Sequence, residues 1–129
     1  MLLERRRNTI TFKLVTPYDK KYFCKYDNAF VKKHKGTFDL IVSVDVLEHL
    51  SDPLKTFRDF NELLRPGGYM IHSTPLLDDF LVYGGHADTA LHTCFFSKKS
   101  LKKLCDKTGF GGEQIIERHG VGGYKFIKL

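Results

Sequence analysis

Hydrophobic and polar positions follow different rhythms along this chain, and each rhythm predicts a different element. Residues Phe38–Ser43 (FDLIVS) contain an unbroken apolar run, Leu40-Ile41-Val42. Such a run suits a strand of a parallel sheet that is covered on both faces. From Leu54 the period lengthens: Leu54, Phe57, Phe60, Leu63 and Leu64 recur at helical spacing, while Lys55, Arg58, Asp59 and Glu62 fall mostly on the opposite side. That pattern predicts a helix with one apolar face laid on a sheet. Asp52 can cap its free N–H groups and Pro53 suits its first position. Arg65-Pro66-Gly67-Gly68 is predicted to end it, because glycine accepts the left-handed turn. Tyr69–Ser73 then reads as a second core strand, closed by Thr74-Pro75.

Elsewhere the rhythm is weaker. Ile10–Val15 alternates enough for a strand, stopped by Thr16-Pro17, and a short helical or extended piece is expected around Asn28–Lys33. Leu76–Cys94 is a long connection, and unstructured stretches of that length inside a small domain usually serve function. A second helix is predicted from Ser97 through Leu101, Leu104 and Cys105 to a stop at Gly109. Gln114–Glu117 and Tyr124–Leu129 are expected strands, joined by the glycine-rich HGVGG reversal. The order predicts an α/β fold, Rossmann-like, with a mainly parallel sheet and an antiparallel final strand. Residues 1–36 read as a basic N-terminal segment with one strand, and residues 37–129 as the α/β domain.

Composition narrows this picture. A chain of 129 residues supports one core, and no apolar run approaches the roughly 18 residues of a membrane span. The start, MLLERRRNTITF, has its charges after two leucines rather than before an apolar stretch, so no secretory signal is expected. Cys24, Cys94 and Cys105 are odd in number with no CxxC pair, which predicts reduced thiols in a cytoplasmic protein. The net charge of +6 is uneven: residues 1–36 carry ten Lys or Arg against Glu4, Asp19 and Asp27. A basic segment of that kind is either a solvated leader or a surface for nucleic acid. No membrane partner is expected.

Candidate chemistry gathers where the first core strand ends. Asp45, Glu48 and His49 follow Phe38–Ser43 directly, and open α/β sheets bind ligands outside the carboxyl ends of their strands. The segment FDLIVSVDVLEHLSDPLKTFRDFNELLRPGGYMIHSTP resembles the second half of the class I S-adenosylmethionine-dependent methyltransferases. The downstream HADTALHTCFFSKKSLKKLCDKTGF is similar to the continuation in many of these enzymes, so the resemblance covers residues 38–129. It implies S-adenosylmethionine as cofactor and methyl transfer to an unknown acceptor. Ser43, Val44 and Asp45 are then expected to meet the cofactor. His49 becomes the candidate base, with Glu48 orienting it or facing the acceptor; the alternative for this pair is to cap the next helix or pack under the loop, and for Ser43–Asp45 a tight turn without a ligand. His86, Asp88 and His92 are the corresponding candidates in a substrate loop.

The resemblance also marks a departure. The family's Gly-rich turn after its first strand is missing, since no glycine precedes Gly36. The ribose-gripping acid has only Asp19 as a candidate. An incomplete methyltransferase fold is therefore expected, with either Ile10–Val15 or a partner chain filling the sheet beside Phe38–Ser43, and a homo-oligomer through an exposed sheet edge as one outcome. Two alternatives stay open: a non-catalytic interaction module, and a metal-dependent RNA 2′-O-methyltransferase-like enzyme using Asp45, Glu48, His49 and His92 as ligands. Among the other histidines, His72 is expected to be a hydrogen-bonded core residue and His34 and His119 to face solvent. Lys98-Lys99 and Lys102-Lys103 are expected to line the solvated face of the second helix.

Overall fold

The computed structural model describes residues 2–6, 9–13, 24–77, 93–118 and 121–129. These residues form strands β1 (Leu2–Arg6), β2 (Thr9–Lys13) and β3 (Cys24–Lys25), helix α1 (Asn28–Lys33), and strand β4 (Phe38–Val44). A single 3-10 turn (Leu47–His49), helix α2 (Pro53–Leu63), strand β5 (Leu64–Pro75), helix α3 (Lys98–Thr108) and strands β6 (Phe110–Arg118) and β7 (Val121–Lys128) follow. The described strands make one sheet in the order β3-β1-β2-β4-β5-β7-β6.

The α/β, Rossmann-like class is what the sequence predicts. Parallel pairing is confined to the centre, β2 with β4 and β4 with β5, whereas pairing is antiparallel toward both edges rather than in the last strand alone. The place beside β4 is filled by this chain itself: Thr9 lies opposite Leu40 and Lys13 opposite Val44. Strand β1, which nothing in LLERR announces, pairs antiparallel with β2. Among the described residues no helix is long and apolar enough to cross a membrane.

Alternation on the central strands explains where the core lies. Ile41 and Ser43 of β4, Met70, His72 and Thr74 of β5, and Tyr124 and Phe126 of β7 are buried together. Helix α2 delivers Phe57 and Phe60 to this face and α3 delivers Leu101 and Cys105. The opposite face carries Val44 and Ile127, which are 51% and 40% exposed. Double-sided cover, which the apolar run of β4 predicts, is not what α2 and α3 provide, since both lie on one face.

The sequence places the end of α2 at Arg65-Pro66-Gly67-Gly68; the helix stops earlier. Leu64 is already extended, and its N–H donates to the Phe60 carbonyl as the cap. Leu64 pairs with Phe38, and the next pair is Leu40 with Tyr69. Arg65–Gly68 therefore form a bulge inside β5, with Gly67 at φ 73 supplying the left-handed residue. At Gly68 a Cβ would lie 2.9 Å from the Arg65 carbonyl oxygen, so backbone meets backbone there.

The last carbonyls of α2 would be orphans in an isolated helix. Here the Gly36 N–H donates to Glu62 O at 2.8 Å and the Thr37 N–H to Leu63 O at 3.1 Å. Lys128 Nζ donates to Asn61 O at 2.7 Å and Leu64 O at 2.8 Å. One half-buried ammonium from the end of β7 thus closes the helix. Replacing Lys128 with Met keeps the aliphatic stem and removes both bonds. The expected cost is about 1.5–3 kcal/mol, read as a lower urea midpoint with an unchanged slope. An unchanged midpoint would show that water serves these carbonyls equally well.

Helix α3 begins as its sequence predicts. Ser97 Oγ accepts from the Ser100 N–H and Ser100 Oγ accepts from the Ser97 N–H, a reciprocal capping box. It ends at Gly109, φ 78, whose carbonyl accepts from Asn61 Nδ2 at 3.1 Å. Lys98, Lys99, Lys102 and Lys103 are exposed.

Candidate functional site

Strand β4 ends by splitting its last side chains between the two sheet faces. Ser43 is 1% exposed, on the helix-covered face, and Val44 points the other way. Asp45 then turns the chain with φ 50, a left-handed conformation that aspartate tolerates better than most residues. Its N–H donates to the Ser73 carbonyl of β5 at 3.3 Å, so the turn is tied to the neighbouring strand. Val46, Leu47 and Leu50 are buried. These apolar anchors draw the 3-10 turn between them into the core and carry Glu48 inward with it.

Glu48 is consequently 3% exposed and held at two points. Its Oε2 accepts from Thr74 Oγ1 at 3.0 Å. Its carbonyl accepts from the Thr93 N–H at 2.8 Å and the Cys94 N–H at 3.1 Å. Thr93 Oγ1 lies 3.2 Å from the same carbonyl and 3.0 Å from Leu50 O, sharing one hydroxyl proton between them. The Cys94 thiol reaches Leu47 O at 3.1 Å. Burial raises the Cys94 pKa above its ordinary value, so that thiol stays a protonated donor. A second tie, Leu77 N–H to Phe96 O at 2.7 Å, sits beside the first. Thr74, Thr93 and Cys94 carry this arrangement, and sequence reasoning did not single them out for it. Their contacts lie 26 to 47 residues away in the chain, beyond any local pattern.

His49 closes the 3-10 turn, half-buried, with its N–H donating to Val46 O at 3.0 Å. The structure thus brings Asp45, Glu48 and His49 to one strand end, with Glu48 turned in, Asp45 exposed, and His49 between these extremes. Asp19, His86, Asp88, His92 and His119 lie outside the described residues. Among the described residues no three His, Cys, Asp or Glu side chains are grouped to hold a metal ion.

Two histidine expectations need correction. His72 is in the core, 1% exposed, but neither ring nitrogen has a hydrogen-bond partner among the described residues. Phe57 and Phe126 lie against it with ring centroids 5.9 and 4.6 Å away. Ser43, its register partner on β4, has an Oγ likewise without a described partner. Burial pulls the imidazole pKa down to about 3. His34 does not simply face solvent: its ring packs 4.4 Å from Phe30 and 6.0 Å from Phe38, because α1 lays its last turn against the start of β4. Beside it, the Tyr26 hydroxyl donates to Asp59 Oδ2 at 2.5 Å. Burial, and then that carboxylate, push the phenol pKa up.

Known proteins place this geometry. A family model described as a methyltransferase domain matches residues 6–115. The chain belongs to the methyltransferase-domain family. The match begins at the last residue of β1 and ends within β6, so the matched stretch takes in β2 as well as β4–α2–β5. The chain is 28% identical over 115 residues to a tRNA U34 carboxymethyltransferase of Helicobacter acinonychis, covering 81% of this chain and 44% of that protein. It is 40% identical over 45 residues to a ubiquinone biosynthesis O-methyltransferase of Aromatoleum aromaticum, 35% of this chain and 19% of that one. The chain spans less than half the length of these curated relatives.

Among solved structures, a SAM-dependent methyltransferase from Thermotoga maritima, described as a possible histamine N-methyltransferase, superposes with a TM-score of 0.59. That superposition, at 18% identity, covers 74% of this chain and 57% of the other. An S-adenosylmethionine-dependent methyltransferase from Mesorhizobium loti gives a TM-score of 0.57 at 15% identity, covering 73% of this chain and 63% of that one. At such identities the likeness is one of fold.

Proposed function

We propose that this domain takes part in methyl transfer from S-adenosylmethionine, with the strand-end turn Ser43–His49 as its active face. The observation that carries the reading is the state of that turn: buried apolar residues and a doubly held Glu48 fix the backbone, while Asp45 and His49 stay at the surface side. S-adenosylmethionine brings an activated methyl group on a sulfonium, so the protein need only orient an acceptor and take its proton. In this reading His49 accepts that proton. Glu48, with its carboxylate on Thr74 and its carbonyl on Thr93 and Cys94, is a positioning residue that sets where His49 stands. Asp45 and Val44 border the cofactor side.

The second reading is a methyltransferase-fold module that does not catalyse. It is favoured by what lies beside β4. The neighbouring parallel strand is TITFK, paired antiparallel with β1 on its other side, and no glycine lies between its end at Lys13 and Gly36 to form a cofactor loop after it. Calorimetric titration of the folded protein with S-adenosylhomocysteine separates the two. Saturable binding at one site in the micromolar range, weakened in Asp45→Ala, is expected for the methyltransferase. Absence of heat at millimolar ligand, with the circular dichroism of a folded α/β protein, would leave the module.

A further inference from the structure

The basic start of the chain is built into the fold. Its described residues form β1, β2, β3 and α1, which stand together at one side of the sheet. We propose that this side is a docking surface for the phosphate backbone of a single-stranded nucleic acid running toward the Ser43–His49 turn.

Ladder positions fix where the charges stand. Lys13 of β2 lies opposite Val44 of β4 and, on its other side, opposite Leu2 of β1, which in turn lies opposite Lys25 of β3. Val44, Lys13, Leu2 and Lys25 therefore make one row across four neighbouring strands, at the end of the sheet where the turn begins. With strands about 4.8 Å apart, the backbone of Lys25 stands about 14 Å from that of Val44. Arg5 and Arg6 occupy the opposite end of β1, level with Ile10 and Thr9 and through them with Ile41 and Leu40. From Lys25 the chain enters α1, whose last turn carries exposed Lys32 and Lys33, with exposed Lys35 just beyond. Basic residues thus follow the whole height of this side, and their row across the sheet starts next to the turn.

The surplus of positive charge survives pairing. Among the described residues up to Gly36, seven are Lys or Arg and two, Glu4 and Asp27, are acids. Asp27 caps α1, accepting from the Phe30 N–H at 2.9 Å. The acids of neighbouring α2 are engaged too: Asp59 by the Tyr26 hydroxyl at 2.5 Å and Lys55 at 2.6 Å, and Glu62 by Lys35 at 3.5 Å. Residues 37–129 hold 11 Lys or Arg against 12 acids, so the net positive charge of the chain belongs to this side. Such one-sided clustering attracts a chain of phosphates.

An anionic membrane is the less fitting partner. Helix α1 turns its apolar residues inward, with Val31 buried and Phe30 stacked on Phe38, so it lacks the exposed apolar face by which amphipathic helices enter lipid. A single strand suits the turn, because a base that reacts there must stand outside a duplex stack. That the bound nucleotide is the acceptor rests on the methyl-transfer reading above; the docking surface does not.

Fluorescence anisotropy of the whole protein with a labelled oligouridylate of about 20 nucleotides tests the surface without any cofactor. Saturable binding is expected, with a logarithmic salt slope of about −0.7 for each phosphate held. Lys13→Glu with Lys25→Glu, and separately Lys32→Glu with Lys33→Glu, should each weaken binding by at least about tenfold and flatten that slope by about 1.4. Lys99→Glu with Lys103→Glu, the same charge change on exposed positions of α3, should weaken it by less than about threefold. No saturable binding at low salt, or an equal loss in the α3 variant, overturns the proposal. So does tighter binding to vesicles of phosphatidylcholine and phosphatidylserine than to the oligouridylate. If the Lys13 and Lys25 variant does not fold, the Lys32 and Lys33 variant decides. Failure here leaves the S-adenosylhomocysteine titration to judge methyl transfer by itself.

Discussion

Phe57→Ala is expected to remove about 3–5 kcal/mol of folding free energy, enough to leave a domain of this size close to its unfolding threshold, since natural domains hold only about 5–15 kcal/mol. Phe57 has no exposed surface and stands where α2 crosses the sheet. Its ring centroid lies 5.9 Å from those of Phe60 and His72, 6.1 Å from Phe110 and 6.2 Å from Phe126. Truncation thus leaves a gap whose lining comes from α2, β5, β6 and β7 together. No single element can collapse into such a gap without moving away from the others, so the cavity term adds to the lost transfer energy. Phe57→Leu keeps much of the volume and should cost about 1–2 kcal/mol. Urea unfolding followed by circular dichroism measures both. A loss below about 1.5 kcal/mol for the alanine variant would mean that this junction repacks freely.

The second large effect is acid lability through His72. Its pKa falls from 6.5 in the unfolded chain to about 3 in the fold, because burial disfavours the charged ring. The unfolded state therefore binds the proton first, and stability falls as pH drops. The contribution is intact above pH 6.5 and declines by about 1.4 kcal/mol per pH unit below it. It amounts to about 2 kcal/mol by pH 5 and about 4 kcal/mol by pH 3. Carboxylates titrate in part of the same range, so the decisive quantity is a difference between variants. His72→Phe keeps an aromatic ring among Phe57 and Phe126 and removes the titrating group. The wild type should lose stability relative to that variant progressively from pH 6.5 to pH 4, with the two parallel above pH 7. Curves that stay parallel down to pH 4 would place His72 in contact with a group that accepts its proton. At pH 8 the variant should equal or exceed the wild type, because two ring nitrogens without a partner among the described residues are exchanged for carbon.

The parts of this fold that could be read from the chain are those where pattern and packing are local. β4, α2 and β5 were legible because an apolar run, a helical period and a second apolar run follow one another, each punctuated by its own cap or glycine. Even there the boundary moved: Leu64 fits the helical period, yet pairing with Phe38 takes it into the sheet. β1 was illegible because LLERR has the composition of a charged leader, and only its pairing with β2 makes it a strand. Gly122 and Gly123 looked like part of a reversal, but they lie opposite Thr74 and Ser73 in the ladder. At the strand-end turn, the sequence put Asp45, Glu48 and His49 close together but did not show which of them is buried. Glu48 is a charged residue following a strand, the usual sign of chemistry, and its burial depends on Leu47, Leu50, Thr74 and Thr93. His72 shows the reverse: a polar residue in an apolar strand suggests a bonded partner, and aromatic rings took that place.

The two ties at Leu77–Phe96 and Thr93–Glu48 have a consequence for how the family can vary. They fix both ends of the intervening stretch to the scaffold, so the framework holds its shape whatever joins those points. Closing a longer connection between fixed ends costs little: each doubling of length adds only about 0.6 kcal/mol of chain entropy. Insertions between residues 78 and 92 are therefore cheap, whereas an insertion of one residue in β4 or β5 would shift the ladder and turn buried side chains to the wrong face. Chain length can therefore change between these two anchors while the sheet beneath them stays constant.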